Sequence, residues 1–460
     1  MRINECTTNS AVQSLEKLKK YNDKLNNIVT FVEPVKKGEG KLSNVPVVLK
    51  DNVNTKGILT TASCKLLSNY VPVYNATIVD KLEAAGALIV AKASMDELAM
   101  GGTNLTAATG PVKCPYDLNR ISGGSSGGSA VAVASGAVPF AIGSDTGDSV
   151  RKPASFNGIV GVKPTYGRIS RYGIIPYASS LDHVGYFVTN VTDAAKVLEV
   201  LAGRDDRDMT SSNLPVEEYE NSLNSDVKGK KLLVFRNVVD AISNKDVVDS
   251  FNTLIEGLKA KGAEIKDVFF DEKLMRALLP TYYIIANAEA TANHSNLTGL
   301  LFGEQKDASS FDEIMIKTRS EGFGPWIKKR FVIGSYALKE DNQERVFRKA
   351  QKIRRLIVDE VTKQLKDADG LIAPAAPGGA PLINSTSTNE MSDEYLVADN
   401  HMVIGNFTGY PSITLPMGYT DGLPVGVNLT CNPFKEQTMF DISLAIEEIT
   451  GLKEVVKEDF

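Results

Sequence analysis

With 460 residues, 43% hydrophobic and 23% charged, the chain has an ordinary globular composition and enough length for a substantial core. A formal net charge of -5 is the wrong sign for a chain that grips RNA or DNA unaided, and no apolar run approaches the ~18 residues that span a bilayer. The four cysteines, Cys6, Cys64, Cys114 and Cys431, are far apart and the three histidines, His183, His294 and His401, are scattered, which disfavours a disulfide framework, a metal site and Ser-His-Asp chemistry.

Acidic residues enter early, at Glu5 and Glu16, with no apolar segment of the kind a secretory signal needs, and no typical transit peptide is read. Residues 10–27 predict a helix with Val12, Leu15, Leu18 and Leu25 on one face and lysines on the other. PVVLKD at 46–51 predicts a short buried strand that delivers Lys50 at its end. Residues 76–85 read as a helix, 87–91 (ALIVA) as a buried strand and 96–100 as the start of a helix. Further strands are expected at 159–162 and 174–175, and a helix at 192–202. This alternation of helices with continuous apolar strands predicts an α/β layered fold.

A polar surface excursion is expected over 203–230. It is followed by a βαβ-like unit: strand 231–235, amphipathic helix 247–261, strand 263–268. Residues 281–295 and 344–366 read as helices and 370–377 as a strand running into a proline-rich loop. Two short strands across a turn at 420–423 and a closing helix at 437–450 complete the chain. With no internal repeat and no clear linker, a single domain over 1–460, carrying a short N-terminal helical segment at about 9–27, is preferred.

The most informative stretch is 123–151, GGSSGGSAVAVASGAVPFAIGSDTGDSVR, in which two serine-bearing turns flank a segment apolar enough to be core. Glycine allows close backbone approach, so two such turns can aim hydroxyls and amide N–H groups at one point. A flexible linker would not run straight into the apolar 130–141, and the lysine of a Walker loop is missing.

GGSSGGS, GSDTGDSVR and the upstream VVLKDN together resemble the amidase signature family, whose members cleave amides with a Ser-Ser-Lys triad. Within that family the likeness extends over nearly the whole chain to the glutaminase subunits of tRNA-dependent amidotransferases. PVYNATIVDKLEAAGALIVAKASMDELAMG, KPTYGRISRYGIIPYASSLDHVGYF, TRSEGFGPWIKKR and GYPSITLPMG carry it. The resemblance implies the amidase signature fold, a mixed twisted β-sheet sandwiched between helical layers. It assigns Lys50 as base, Ser125 as bridging serine and Ser149 as nucleophile, with backbone N–H groups of Thr146, Gly147, Asp148 and Ser149 as the oxyanion hole. Asp145 and Arg151 become structural supports of that turn. For glutamine, Arg330 would meet the α-carboxylate and Asp399 the α-ammonium, Tyr282 or Tyr283 would line the pocket, and the backbone at 100–103, beginning with Met100, would form another wall. Ser126, Ser129 and Ser144 are read as turn residues that hydrogen-bond backbone.

The chemistry of the triad is consistent with this on its own terms. A free lysine titrates near ~10.4, so a neutral one at pH 7 needs a shift of roughly three units, or about 4–5 kcal/mol, which burial at a strand end can supply. The resemblance further implies no metal and no cofactor in this chain, with ATP and magnesium at a partner, the amidotransferase B subunit, that also grips the tRNA. A small third subunit completes the implied complex, which converts Glu-tRNA(Gln) to Gln-tRNA(Gln) in the mitochondrial matrix or the bacterial cytoplasm, with no membrane insertion. A free-standing amidase and a catalytically silent scaffold are the alternatives.

Some residues depart from the family pattern. Asp148 stands where glycine is usual, and its charge beside an oxyanion predicts that it faces away and pairs with Arg151 or Lys152. DNQERVF replaces a tyrosine-rich stretch, NLTG replaces RYDG, and the opening helix is shorter than in longer relatives. These surfaces are expected to meet partner subunits.

Overall fold

The computed structural model describes residues 1–385 and 397–460. Among the described residues, eleven strands form one mixed sheet. These are β1 (Ile28–Phe31), β2 (Pro46–Lys50), β3 (Leu88–Ala93), β4 (Phe140–Asp145), β5 (Val160–Lys163), β6 (His183–Val188), β7 (Lys231–Phe235), β8 (Glu264–Val268), β9 (Gly370–Pro374), β10 (Ser412–Thr420) and β11 (Leu423–Cys431). Their order across the sheet is β1-β3-β2-β4-β6-β5-β10-β11-β9-β7-β8. β2 runs parallel to both β3 and β4, whereas β4 and β6 are antiparallel.

Helices pack on both faces: α1 (Ser10–Leu25), α2 (Thr77–Ala84), α3 (Gly127–Ala134), α4 (Arg151–Asn157), α5 (Val191–Leu201), α6 (Lys245–Ala260), α7 (Glu272–Asn293), α8 (Phe311–Gly322), α9 (Pro325–Leu338), α10 (Lys349–Leu365), α11 (Val397–Asn400), α12 (Val403–Thr408) and α13 (Glu436–Thr450). Strand β2 shows how the layers form. Successive side chains leave a strand on opposite faces, so Val48 joins the apolar cluster with α1 and α3, while Val47 and Leu49 join the cluster holding α2 and α5. Every residue of β2 is buried, as both faces are covered.

Several sequence expectations shift in detail. In α1 the buried positions include Ala11, Ser14, Leu15, Leu18, Tyr21 and Leu25, whereas Val12 is 52% exposed. The stripe follows the 3–4 residue helical repeat, and Val12 falls outside it. At 96–100 only a single 3₁₀ turn, Glu97–Ala99, forms, because Leu98 and Ala99 within it adopt positive φ and no helix continues. The pair 174–175 contributes only an isolated bridge from Ile174 to Val53. Strands β1, β4 and β6 and helices α3, α4, α8, α9, α11 and α12 carry no expectation from the sequence. α8 buries only Thr318 and Gly322, so it offers no apolar period to read.

Candidate active site

Strands β2 and β4 are parallel and in register, Leu49 opposite Ile142, so their C-terminal ends lie at one edge of the sheet. That brings Lys50, the last residue of β2, beside Ser144 and Asp145, the last residues of β4. The glycine-rich turn before α3 arrives at the same place, held by close backbone approach. A Cβ on Gly124 would stand 2.1 Å from Asp96 Oδ2, and one on Gly128 would stand 2.3 Å from the Ser94 carbonyl oxygen. Only glycine fits either position without displacing its neighbours.

Lys50 Nζ lies 2.8 Å from Ser125 Oγ, 2.8 Å from Ser126 Oγ, and 2.9 Å and 3.2 Å from Ser144 Oγ and the Ser144 carbonyl oxygen. Lys50, Ser125 and Ser126 are fully buried. Burial lowers the Lys50 amine to about 7, an effect that the carboxylates of Asp96, Asp145 and Asp182 partly oppose. Such an amine has two N–H donors and one lone pair. The Ser126 hydroxyl donates to the Ser144 carbonyl, 3.0 Å away, so it receives from the lysine rather than giving to it. The Ser125 hydroxyl has no other acceptor among the described residues and can present its hydrogen to the lone pair. Ser129 bonds backbone as expected, through Ile142 O at 2.8 Å. Ser126 and Ser144 do more than hold a turn, since both contact the amine directly. The repeated serines gave no basis for choosing among them without the backbone path.

Ser149 is 4% exposed, and its carbonyl accepts the Ser126 amide at 3.3 Å, so the two serine turns lie side by side. The amides of Gly147, Asp148 and Ser149 find no hydrogen-bond acceptor among the described residues. Unpaired N–H groups beside a hydroxyl are the donors that a developing oxyanion requires. The Thr146 hydroxyl donates to Asp182 Oδ1 at 2.7 Å, and Asp182 also accepts from the Tyr177 amide at 2.8 Å. Asp182 had no sequence signal beyond its place in the ASSLDH run.

Asp145 and Arg151 form a buried two-point pair, Oδ1 to Nη2 at 2.8 Å and Oδ2 to Nε at 3.1 Å. Burial alone would raise the Asp145 carboxyl, and Arg151 more than reverses this, holding it well below the usual carboxylate range. Arg151 Nη2 also donates to the Gly147 carbonyl at 2.7 Å, and Asn406 of α12 bridges the two partners. The pair therefore fixes the turn that carries the free amides.

Asp148 pairs with Lys152, Oδ2 to Nζ at 2.8 Å, one helical turn on, and not with Arg151. Its φ is not positive, so the glycine-like geometry that would have made Asp148 a special choice is not required. Lys152 Nζ also donates to the Asp399 carbonyl of α11 at 2.6 Å. Burial disfavours charge on Lys152, but Asp148 and Asp399 outweigh it and raise the amine above its ordinary value.

Arg330 of α9 is 6% exposed and has no carboxylate within ion-pair distance among the described residues. Its Nη1 donates to the Tyr177 hydroxyl at 2.5 Å, its Nε has no partner, and its guanidinium lies over the rings of Tyr283 and Trp326, 5.1 Å from each centroid. Tyr282, beside Tyr283 on α7, lies against the turn that carries Ser149, where a Cβ on Gly147 would stand 3.1 Å from the ring. Met100 is fully buried in the main core, so the wall expected at 100–103 is left to the half-buried Gly101, Gly102 and Thr103. The neighbouring Gly102 carbonyl accepts the Gly124 amide at 2.9 Å, tying that backbone to the turn that carries Ser125. A cavity of about 240 Å³ is lined by Asn52, Ala99, Ser144, Tyr177 and Asp182 among others. None of the predicted site residues lines it, yet its wall joins a partner of Lys50 to a partner of Arg330. No cluster of metal-ligating side chains occurs among the described residues.

Comparison with known proteins agrees with this architecture. A sequence model of the family described as Amidase matches residues 4–440. The chain is 42% identical over 446 residues to the glutamyl-tRNA(Gln) amidotransferase A subunit of Lactobacillus delbrueckii subsp. bulgaricus, covering 95% of this chain and 92% of that one. It is 40% identical over 405 residues to the protein of the same name from Koribacter versatilis, covering 88% and 84%. A crystal structure of the glutamyl-tRNA(Gln) amidotransferase A subunit from Thermotoga maritima superposes with a TM-score of 0.83 at 35% identity, covering 97% of this chain and 94% of that one.

Proposed function

The chain belongs to the amidase family, and from that premise we propose that it is the glutamine-hydrolysing A subunit of a tRNA-dependent amidotransferase. The observation that carries this reading is the contact of a buried lysine, lowered to about 7, with Ser125 Oγ at 2.8 Å. Neutral Lys50 takes the Ser125 proton as Ser125 takes the Ser149 proton, and Ser149 Oγ attacks the side-chain amide carbon of glutamine. The oxyanion settles on the free amides of Gly147, Asp148 and Ser149, with Thr146 completing the turn. Protonation of the nitrogen through the same relay expels ammonia and leaves a glutamyl ester on Ser149. Water, deprotonated by the returning relay, then releases glutamate.

The Arg330 guanidinium, with no carboxylate partner among the described residues, suits the substrate α-carboxylate, and Asp399 suits the α-ammonium, with Tyr282 and Tyr283 between them. Ammonia passes to a partner, the B subunit, that binds ATP, magnesium and the tRNA, with a small third subunit completing the complex and the bacterial cytoplasm as its setting. The Asp148 to Lys152 pair weakens the silent-scaffold alternative, since the charge that motivated it is neutralised. The test is a glutaminase assay of the full chain with its co-purifying partners. Release of ammonia from glutamine, abolished by Ser149→Ala, is expected; equal ammonia release by Ser149→Ala would reject the assignment.

A further inference from the structure

Resting on the glutaminase reading, we propose that Lys152 is a positioning residue that couples the nucleophile turn to the segment recognising the substrate α-ammonium. One ammonium bridges two parts of the chain about 250 residues apart in sequence. On one side it meets Asp148 Oδ2 at 2.8 Å, immediately before Ser149; on the other it donates to the Asp399 carbonyl at 2.6 Å. Both members of the ion pair are largely shielded, with side-chain exposures of 13% for Lys152 and 18% for Asp148. The Lys152 amide also bonds the Asp148 carbonyl at 2.9 Å, so the lysine is held from its own backbone as well. The other charged or titratable groups acting on it are Asp399 of α11 and Tyr283 of α7.

This geometry gives Lys152 two separable effects. It cancels a carboxylate next to the oxyanion site, where a bare charge roughly 6 Å away at an effective dielectric of ~20 would slow the reaction about a hundredfold. It also holds the backbone of Asp399 in place, so that its carboxylate is set to receive the substrate α-ammonium and glutamine binds more tightly than an amide without that group. The first effect appears in kcat and the second in KM. The second also depends on the substrate carrying an α-amino group.

Steady-state kinetics of the full chain with its partners would use glutamine and its des-amino analogue, 4-carbamoylbutanoate, with melting temperatures measured for each variant. Lys152→Gln is expected to lower kcat on both substrates by about 30- to 100-fold, and to raise KM for glutamine about tenfold more than for the analogue. Adding Asp148→Asn should recover most of the lost kcat while the raised glutamine KM persists. Lys152→Arg, which keeps the charge, should recover kcat relative to Lys152→Gln and serves as the reading if the glutamine variant melts too early. An unaltered kcat in Lys152→Gln, no recovery in the double variant, or an equal rise in KM for both substrates would each overturn the proposal. Failure of the wild-type complex to hydrolyse glutamine would instead overturn the glutaminase reading beneath it.

Discussion

Lys50 Nζ and Ser125 Oγ lie 2.8 Å apart, with both side chains wholly shielded from water. Burial lowers the lysine to about 7, so the amine is neutral above that pH and charged below it. In the proposed mechanism the neutral amine is the active form. The expected kcat/KM therefore rises about tenfold per pH unit up to about 7 and levels off above it. Lys50→Arg, whose guanidinium does not deprotonate, should lose about a thousandfold or more at every pH. A pH–rate profile of the glutaminase reaction checks this, and an acid limb near pH 9 to 10 would show that the lysine is not held neutral.

The Asp145 to Arg151 pair is fully buried, and a broken buried pair leaves an uncompensated charge. Arg151→Leu is expected to cost about 3–5 kcal/mol in denaturant unfolding. Arg151→Lys should restore only part of it, because an ammonium cannot meet both carboxylate oxygens and the Gly147 carbonyl together. A loss under about 1 kcal/mol for the leucine variant would mean that Asn406 and the Val150 amide suffice to hold Asp145.

Arg330 is a buried cation with an unpartnered Nε, so its variants should act on substrate binding more than on chemistry. Arg330→Met is expected to raise KM for glutamine by about 10- to 100-fold, the worth of a charge-assisted hydrogen bond. KM for a primary amide lacking the α-carboxylate should move little. Equal effects on both amides would place Arg330 in the fold rather than in the pocket.

How much could be read from the residues follows from where the signal lay. The continuous apolar runs of β2 and β3 announce strands buried on both faces, and Lys50 at the end of one is a chemical oddity in an apolar setting. The glycines at 124 and 128 announce close packing. What the sequence hides is the partner across space. Nothing local indicates that Asp96 gives its carboxylate to the amides of Thr103, Asn104 and Thr106 instead of starting a helix. In the same way Ser126 and Ser144 are indistinguishable from turn serines until the glycine-rich turn before α3 and the end of β4 bring them to Lys50. Strand β6, opened by His183 and interrupted by Gly185, pairs with β4 and β5 on either side, and its residues alone carry too weak a strand pattern to announce it.

Glu447 offers a test of the fold away from the chemistry. It lies on α13, 6% exposed, and accepts the Val191 amide at the start of α5 at 2.8 Å. Burial raises its carboxyl from an ordinary 4.5 to about 7, more than the Val191 amide and Lys453 lower it. The folded state therefore holds a proton that the unfolded state gives up between those two values. The stability from this proton is complete below pH 4.5 and is lost as the pH rises through 7. Glutamine mimics the protonated acid and can still accept from Val191. Glu447→Gln is thus expected to match the wild type at pH 4 and to exceed it by about 3 kcal/mol at pH 8 in urea unfolding. A difference that is the same at both pH values would show that Glu447 is solvated and that the contact between α13 and α5 does not depend on its charge state.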